Sequence, residues 1–446
     1  MAAANPPLRA GFARACITPP EGVSLAGYFE PRPNRGVLDE LYVRACVFEH
    51  GSTLGGVVVF DLCVLSDTLR ARLFELLDPL GLDEGRLIAA ATHTHTGPDL
   101  GGVFGGESAT PDLVERVAQA AAQAVRQARQ DLAPARLSEA AKDENPFAFN
   151  RRYWMADGTV VTNPGKDDPH VVRPEGPVDR RVSVLRVDRH GRPPGLLVNL
   201  VNHADATGGD LVSADWPGVL EHSLGARLGG PVPVLTLIGC AGNVNHFDPA
   251  RPDAQTSPQE ARRIGEGYAD IVARALDRAR PLAEGALSVR STQVDLPFRS
   301  ISDEEIARAE DTLARAPAQN GGGMTSEDLA RGSVAVERFF AEELLAFARE
   351  QKPAVRRFPV TALRFGDAAA IVSLPGEPFT EIGLALKAQS PFPRTLVATL
   401  AGFCGYVPPA ECLARGGYEV LPVRGGGCAP ECADRLLAAA ATVLAP

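Results

Sequence analysis

The sequence predicts an α/β fold, in which one or more mixed central sheets are flanked by helices. Short apolar runs are typical of buried strands, and the segments between them have helical periodicity. In addition, polar residues stand directly after several of the apolar runs. Alternating strands and helices favour a sheet that is covered on both faces. The predicted strands are residues 56–63, 87–91, 195–201, 232–239, 359–365, 368–374 and 395–401.

The segments between these runs carry apolar residues three and four positions apart, which is the pattern of an amphipathic helix. A further helix begins at Ser302, because Ser302 and Glu305 have the spacing of a capping box. Another helical segment starts at Phe379. The remaining predicted helices are residues 67–77, 111–131, 258–279 and 334–349.

Three stretches have the composition of loops. Residues 31–37 are short and rich in proline and arginine, whereas residues 143–179 are polar with interleaved aromatics. We expect residues 143–179 to form a wall of a binding site, since long ordered loops are often functional. The glycine-rich residues 319–324 are expected to be a simple connector. A chain of 446 residues is long for one core, so one elaborated unit and two closely packed halves remain alternatives.

Charge and hydropathy exclude some partners. The net charge is −10, from 45 basic and 55 acidic residues, and no run of lysine and arginine makes a basic patch, so nucleic acid is not an expected partner. No stretch approaches the ~20 apolar residues of a transmembrane segment. The first residues lack a secretory signal pattern, so we expect a cytoplasmic protein unless the sequence is a mature secreted form. A homo-oligomer is compatible with the sequence.

The eight cysteines fall into two groups. Those that stand singly in apolar surroundings are expected to be buried and reduced: Cys16, Cys46, Cys63 and Cys240. The other four lie close together near the C-terminus without a Cys-x2-Cys spacing, which favours disulfides or free thiols over a structural zinc site. These are Cys404, Cys412, Cys428 and Cys432.

Chemically capable side chains follow five of the apolar runs. In open α/β sheets, ligands bind beyond the carboxyl ends of the strands. Five such ends therefore predict one shared site. In chain order the residues are His93 and His95, Asn202 and His203, Asn245 and His246, Glu377, and Tyr406.

The pair His93 and His95 suggests a metal. On an extended backbone, side chains two residues apart point the same way, and such a pair commonly aims imidazoles at a metal. A catalytic zinc takes about three nitrogen or oxygen ligands and keeps a position for water. His203 and Glu377 would complete the set with His93. The ligand types do not by themselves exclude manganese, iron or nickel.

Each of the added ligands has a second interpretation. His203 alone is compatible with a hydrogen-bonded core histidine. Glu377 alone is compatible with a carboxylate at a helix N-terminus, where negative charge suits the helix dipole. The joint pattern carries the metal hypothesis.

A series of segments has a recognisable order along the chain. Ile17-Thr-Pro-Pro comes first, then Thr92-His-Thr-His-Thr-Gly-Pro, Ser213-Ala-Asp-Trp-Pro-Gly, Leu374-Pro-Gly-Glu and Gly405-Tyr-Val. In this order they resemble the catalytic domain of the neutral/alkaline non-lysosomal ceramidase family. The resemblance extends from about residue 10 to about residue 420. It implies a single large catalytic domain over residues 1–446, without the family's C-terminal immunoglobulin-like domain.

The resemblance also implies a set of site residues. Zinc would be held by His93, His203, Glu377 and Tyr406. His95 would stabilise an oxyanion or move a proton to the leaving group, Tyr418 matches a second tyrosine of the site, and Arg151 matches an arginine that lines it. Considered alone, Tyr406 also fits the edge of a core and Arg151 a surface loop.

One departure from the family concerns Asn245. The family carries an essential serine where this chain has Asn245, in Gly242-Asn-Val-Asn-His-Phe. An asparagine is not an acyl-accepting nucleophile, but its amide can donate to an oxyanion or orient water. A serine acyl-enzyme is therefore not expected, and attack by zinc-bound hydroxide is.

The sequence thus favours a zinc-dependent amide hydrolase that acts on an N-acyl compound, either a small molecule or a lipid-like one. An esterase, a lactonase or a carbohydrate-active enzyme on the same metal site is the close alternative. A non-catalytic binding protein stabilised by its metal is the alternative from another class. The substrate itself is not specified by the sequence.

Overall fold

The computed structural model describes residues 6–28, 31–101, 110–165, 168–315, 334–350, 355–423 and 426–446. Its larger sheet is mixed. The strands are β1 Arg9–Cys16, β4 Tyr42–His50, β5 Thr53–Phe60, β6 Leu87–Ala91, β7 Ala133–Asp143, β12 Arg181–Arg189, β13 Gly195–Leu200, β14 Val234–Ile238 and β16 Arg280–Pro281. Their order is β14-β13-β12-β7-β1-β4-β5-β6, and β16 pairs with β7. The pairs β5–β6 and β13–β14 are parallel, and the other pairs are antiparallel.

A second sheet has four strands, β17 Leu287–Pro297, β18 Val355–Phe365, β19 Ala369–Ser373 and β21 Arg394–Ala398. They are neighbours in the order β17-β18-β19-β21. Here β19 and β21 are parallel. The two sheets share one apolar core, in which Phe48, Val57 and Leu237 of the larger sheet meet Leu363 and Ile371 of the smaller one. The sheets are therefore packed face to face.

In the ranges given above, six helices cover the outer faces, namely α1 Asp67–Leu77, α2 Pro111–Gln130, α3 Asp215–Arg227, α4 Pro258–Leu276, α7 Thr380–Gln389 and α8 Cys432–Leu444. Two further helices in these ranges, α5 Asp303–Arg315 and α6 Val334–Glu350, pack on each other. Val117 and Val125 of α2 and Ile264 of α4 are buried against the larger sheet. Leu386 of α7 and Leu436 of α8 are buried against the smaller sheet. The result is a four-layer αββα arrangement, which confirms the predicted mixed α/β class.

Short strands surround the carboxyl ends of the main strands. They are β2 Ser24–Leu25 with β3 Arg32–Pro33, β8 Phe149–Asn150 with β15 Val244–Asn245, β9 Arg152–Met155 with β10 Val160–Thr162 and β11 Val171–Pro174, and β20 Glu377–Pro378 with β22 Tyr406–Val407. Single 3₁₀ turns are Asp78–Leu80, Ala410–Cys412 and Tyr418–Val420. The loop predicted over residues 143–179 contains the short strands β8 to β11, and it contributes Arg151 to the lining of the pocket described below.

Local signals identify several element ends. The predicted helix 67–77 is confirmed at both ends, and the Ser66 hydroxyl caps it by accepting from Leu69 N. The capping box is confirmed, since Glu305 N donates to Ser302 Oγ at 3.2 Å and Ser302 N donates to Glu305 Oε2 at 3.0 Å. The predicted connector 319–324 lies outside the described residues. Within the described ranges, no helix has the length and apolar character needed to cross a membrane.

All eight cysteines lie in the described part of the chain and are free thiols. The expectation of free thiols or disulfides at the C-terminus thus resolves to thiols. Cys46, Cys63 and Cys240 are buried as predicted, but the prediction for Cys16 is wrong because this thiol is exposed at the end of β1.

Candidate active site

His93 lies just beyond β6, where the backbone leaves the larger sheet. Its φ of 66° is left-handed, a conformation that costs a residue with a β-carbon roughly 1–3 kcal/mol. The extended backbone predicted from His93 to His95 is therefore wrong. The turn at His93 nonetheless brings both rings into one site, with centroids 4.8 Å apart.

His93 and His203 are held in the same way. His93 Nδ1 lies 2.7 Å from the carbonyl oxygen of Cys63, and His203 Nδ1 lies 2.8 Å from that of Val244. A carbonyl oxygen only accepts, so each Nδ1 donates, and in the neutral form of either ring Nε2 is then the acceptor. The indole of Trp216 donates to His203 O at 2.7 Å and fixes the backbone there. Both Nε2 atoms are therefore oriented as ligands.

Glu377 reaches the same point from the smaller sheet. It follows Gly376, whose φ is 65° and whose missing β-carbon would lie 2.4 Å from Cys404 Sγ. The turn therefore requires glycine. The parallel register of β20 and β22 then sets Glu377 directly opposite Tyr406.

The three side chains converge on one point. Glu377 Oε2 lies 3.2 Å from His93 Nε2 and 3.4 Å from His203 Nε2, yet it is buried without a hydrogen bond of good geometry. Ligand atoms about 3.3 Å apart are expected around a tetrahedral zinc with bonds of ~2.0–2.1 Å. His93, His203 and Glu377 thus form a candidate metal-binding group that fits such an ion. Cys63, His93 and His95 form a second, overlapping group, but burial raises the pKa of the Cys63 thiol.

Glu377 and His93 each shift the pKa of the other toward its charged form. Burial raises the pKa of the Glu377 carboxyl, but His93 and His203 outweigh it and hold this pKa well below its usual range. Burial lowers the pKa of His93, but Cys63 and Glu377 outweigh it and raise it well above the ordinary value. Burial, with Arg151 and His93, lowers the pKa of His203 to about 3. A buried carboxylate that draws positive charge to itself suits a divalent cation.

Arg151 and the two tyrosines make the opposite wall. The Tyr406 and Tyr418 hydroxyls are 3.2 Å apart, and the Arg151 guanidinium lies within 5.3 Å of both ring centres. Arg151 donates to Glu419 Oε1 at 2.9 Å and to Gly242 O at 2.6 Å. Its charge is therefore fixed beside the phenols, which burial shifts to pKa values above the usual range.

His95 stands between the metal-binding group and a second carboxylate. Its Nε2 lies 3.4 Å from His93 Nε2, and its Nδ1 lies 3.4 Å from Asp205 Oδ1. Burial, His93 and His203 together hold the pKa of His95 well below the ordinary value, so the ring is neutral.

These residues open into one small pocket of about 80 Å³. Helix α6 closes its outer side through Phe339, Phe340 and Glu343. The other lining residues include Gly27, Tyr28, Cys63, His93, His95, Arg151, Asp205, Glu377, Phe403, Tyr406, Tyr418, Leu421 and Val423.

Comparison with solved structures identifies this architecture. The crystal structure of neutral ceramidase from Pseudomonas aeruginosa superposes with a TM-score of 0.69 at 18% identity, over 98% of this chain and 74% of that chain. A ceramidase complexed with C2 superposes with a TM-score of 0.71 at 17% identity, over 98% of this chain and 75% of that chain. The chain has the ceramidase fold. No family model matches the sequence, and no curated protein matches it.

The position that differs from the ceramidase motif, Asn245, is buried and is not among the described residues that line the pocket. Its Nδ2 donates to Asn163 Oδ1 at 2.9 Å, and its Oδ1 accepts from Phe247 N at 3.1 Å. Asn163 N in turn donates to Arg151 O at 2.7 Å. Asn245 therefore contacts the loop that carries Arg151. The adjacent His246 is buried, with Nε2 2.7 Å from Gln255 O.

Three residues of the site within the ceramidase fold escape prediction from sequence. Glu419 is buried and pairs with both Arg151 and Arg152. The adjacent residues Arg151 and Arg152 indicate that such a carboxylate exists, since buried guanidinium groups need carboxylate partners, but they do not indicate which one it is. Tyr28 follows Gly27 in a segment that resembles the ceramidase family, and Asp205 ends the strand-end segment Asn202-His-Ala-Asp, but neither pattern assigns its residue a role.

Proposed function

We propose that the chain is a zinc-dependent hydrolase that cleaves an amide bond of an N-acyl substrate by attack of water. The observation that carries the proposal is the buried, unpartnered oxygen of Glu377 between His93 and His203, at the base of the pocket. Zinc would be held by these three residues, with Tyr406 as the fourth ligand. When bound there, zinc polarises a carbonyl and lowers the pKa of water near neutrality.

The chain's own residues supply the remaining chemistry. His95 is neutral and faces the metal-binding group through Nε2, so it can take a proton from water and return it to the leaving nitrogen. The Tyr418 hydroxyl can donate to the oxyanion that forms at the carbonyl carbon. The Arg151 charge beside it favours that negative oxygen.

Asn245 has a supporting role in this proposal. Its side chain donates a hydrogen bond to the side chain of Asn163, and the backbone N–H of Asn163 donates to the carbonyl oxygen of Arg151. An error of about 1 Å in the position of a substrate-binding group can cost ~100-fold in rate. Asn245 thereby helps to fix the position of Arg151. Because an asparagine is not an acyl-accepting nucleophile, the proposed reaction proceeds without a covalent intermediate at this position.

The pocket supports a compact reacting group. Its volume of about 80 Å³ is far below the ~300–1,000 Å³ of pockets that enclose drug-sized ligands. We therefore propose a small N-acyl compound, or a lipid-like one whose chains lie outside the pocket. Residues 1–446 act as one catalytic domain in this proposal, because the metal-binding residues come from both sheets.

The test combines metal analysis with a substrate series. Purified protein should hold about one zinc per chain, and chelation should abolish hydrolysis that added zinc restores. N-acyl amides from acetyl to palmitoyl, with matched esters and glycosides, then define the reaction. We expect amide hydrolysis to be fastest for short acyl groups.

Three results would contradict the proposal in different ways. Less than about half an equivalent of zinc would remove its metal. Ester or glycoside cleavage without amide cleavage would assign another hydrolase activity to the same site. Stoichiometric zinc without turnover of any substrate would indicate a metal-stabilised binding protein.

A further inference from the structure

Three polar side chains extend away from the metal-binding group in a row. His95 Nε2 faces His93 Nε2 at 3.4 Å, and the opposite nitrogen, Nδ1, faces Asp205 Oδ1 at 3.4 Å. Among the described residues, His95 Nδ1 is buried and makes no hydrogen bond of good geometry, and Asp205 Oδ1 is the acceptor that it faces. The Tyr28 hydroxyl donates to the same Asp205 oxygen at 2.5 Å.

The surroundings hold this row in place. A β-carbon on Gly27, whose φ is 99°, would lie 2.4 Å from His95 Cγ, so this position must be glycine for the imidazole to fit. The Arg32 guanidinium lies 4.0 Å from the Tyr28 ring centre and donates to His95 O at 2.5 Å. His95 N donates to Ala204 O at 3.0 Å, which sets the backbone of His95 beside that of Asp205.

The chemistry of a neutral imidazole gives the row a function. One ring nitrogen carries the proton and the other is a hydrogen-bond acceptor. An acceptor group next to one nitrogen stabilises the tautomer that has the proton on that nitrogen. A carboxylate only accepts, so Asp205, which already accepts from Tyr28 and faces His95 Nδ1 at 3.4 Å, favours the Nδ1–H form. That leaves His95 Nε2 as a bare acceptor on the side of the pocket.

We propose that Asp205 is a positioning residue for His95, held by Tyr28, and that it fixes the Nδ1–H tautomer so that Nε2 serves as the general base. The inference rests on the proposed amide hydrolysis. As the water oxygen bonds to the carbonyl carbon, Nε2 takes the proton that the water loses. The imidazolium then gives this proton to the leaving nitrogen as the carbon–nitrogen bond breaks.

The tautomer can be observed directly. In protein labelled with ¹⁵N-histidine, two-bond proton–nitrogen correlations distinguish Nδ1–H from Nε2–H, and His95→Gln identifies the His95 signals. We expect Nδ1–H in the wild type, and a shift toward Nε2–H in Asp205→Asn, whose amide can donate to Nδ1. An Nε2–H signal in the wild type would overturn the inference. This measurement needs no substrate, so it stands even if the proposed reaction fails.

Kinetics supply a second, independent readout. Asp205→Asn should lower kcat on the order of 100-fold, with KM changed less than about threefold and zinc content unchanged. Asp205→Glu should recover part of kcat, and Tyr28→Phe should lower it about tenfold by removing one bond to Asp205. Exposed Asp210 provides the matched control, Asp210→Asn, which should keep wild-type kcat.

A kcat within twofold of wild type in Asp205→Asn would overturn the positioning role. A loss of zinc in that variant would show that Asp205 supports the metal-binding group instead. If Asp205→Asn does not fold, Tyr28→Phe and the wild-type tautomer still decide the question. Loss of the wild-type tautomer in Tyr28→Phe would confirm that Tyr28 acts through Asp205.

Discussion

Two walls of the pocket differ in whether their charged side chains have hydrogen-bond partners. The acceptor wall consists of His93, His203 and Glu377, and the donor wall consists of Arg151, Tyr406 and Tyr418. On the acceptor wall, Glu377 Oε2 accepts no well-formed hydrogen bond although two ring nitrogens lie within 3.4 Å. On the donor wall, Arg151 is matched by Glu419 and Gly242 O.

The difference separates two tasks within one site. A buried carboxylate oxygen without a well-formed hydrogen bond favours a positive ion from outside, since buried polar groups without partners are costly, whereas His203 Nε2 already lies 3.3 Å from Arg151 Nη1. A wall whose cation already has a buried carboxylate keeps its shape unaided. We therefore expect the acceptor wall, together with Tyr406 as the proposed fourth ligand, to control metal content, and Arg151 and Tyr418 of the donor wall to control stability and substrate orientation.

Glu377→Gln gives the largest expected effect, because it removes the charge that unites the acceptor wall. Zinc content should fall to near zero, and kcat/KM should fall by more than about 100-fold, beyond the 10–100-fold typical of outer partners of a metal. Elemental analysis and steady-state assays measure both. Glu284→Gln, at an exposed position, is the control. Retention of stoichiometric zinc in Glu377→Gln would abolish the distinction between the walls.

Glu419→Gln tests the donor wall. It leaves Arg151 and Arg152 buried without their shared carboxylate, so the free energy of unfolding should fall by about 3–5 kcal/mol. Urea denaturation measures this loss. Zinc content of the folded variant should remain near wild type. A variant that loses its zinc but keeps its stability would reverse the assigned tasks.

Asn245→Ala sharpens the comparison, since Asn245 supports the donor wall from outside the pocket. The variant should keep its zinc and lose about tenfold in kcat, the equivalent of one hydrogen bond. Asn163→Gly should have a similar effect, and the double variant should add little, because both remove the same bond. Full activity in Asn245→Ala would show that this bond does not reach Arg151.

The C-terminal cysteines should have the smallest effect. Cys428 Sγ donates weakly to Cys404 O at 3.7 Å, and Cys432 Sγ donates to Pro297 O at 3.3 Å, so these thiols already have partners. Cys428→Ser should leave zinc content unchanged. A thiol reagent should modify exposed Cys16 first in the native protein and all eight cysteines after unfolding. Fewer than eight thiols in unfolded, unreduced protein would reveal a disulfide.

The sequence predicts the wholly apolar strands well and the amphipathic strands poorly. Runs such as residues 87–91 are apolar throughout, and in the structure they are buried strands, even at the edge of a sheet. Strands β7 and β17 carry polar residues at many positions, so an apolar-run criterion does not find them. The stacking of two sheets also escapes prediction, because an inward-facing residue looks the same whether a helix or a second sheet covers it.

The candidate site divides along a similar line. Strand ends indicate where His93, His203 and Glu377 lie, because chain direction alone brings such ends together. The partners of the site depend on contacts between distant loops. Asp205 and Glu419 can be recognised as site residues only from their contacts with His95 and Arg151 in the folded chain.

The residues of the acceptor wall come from both sheets, and with Tyr406 they extend over most of the chain. Contacts between residues so distant in sequence form late, because their loop-closure entropy must first be overcome. No fragment and no half-folded intermediate would bring His93 and Glu377 together. Uptake of zinc by a refolding chain would therefore mark the end of folding, and a metal-sensitive dye would report correctly paired sheets before any substrate is known.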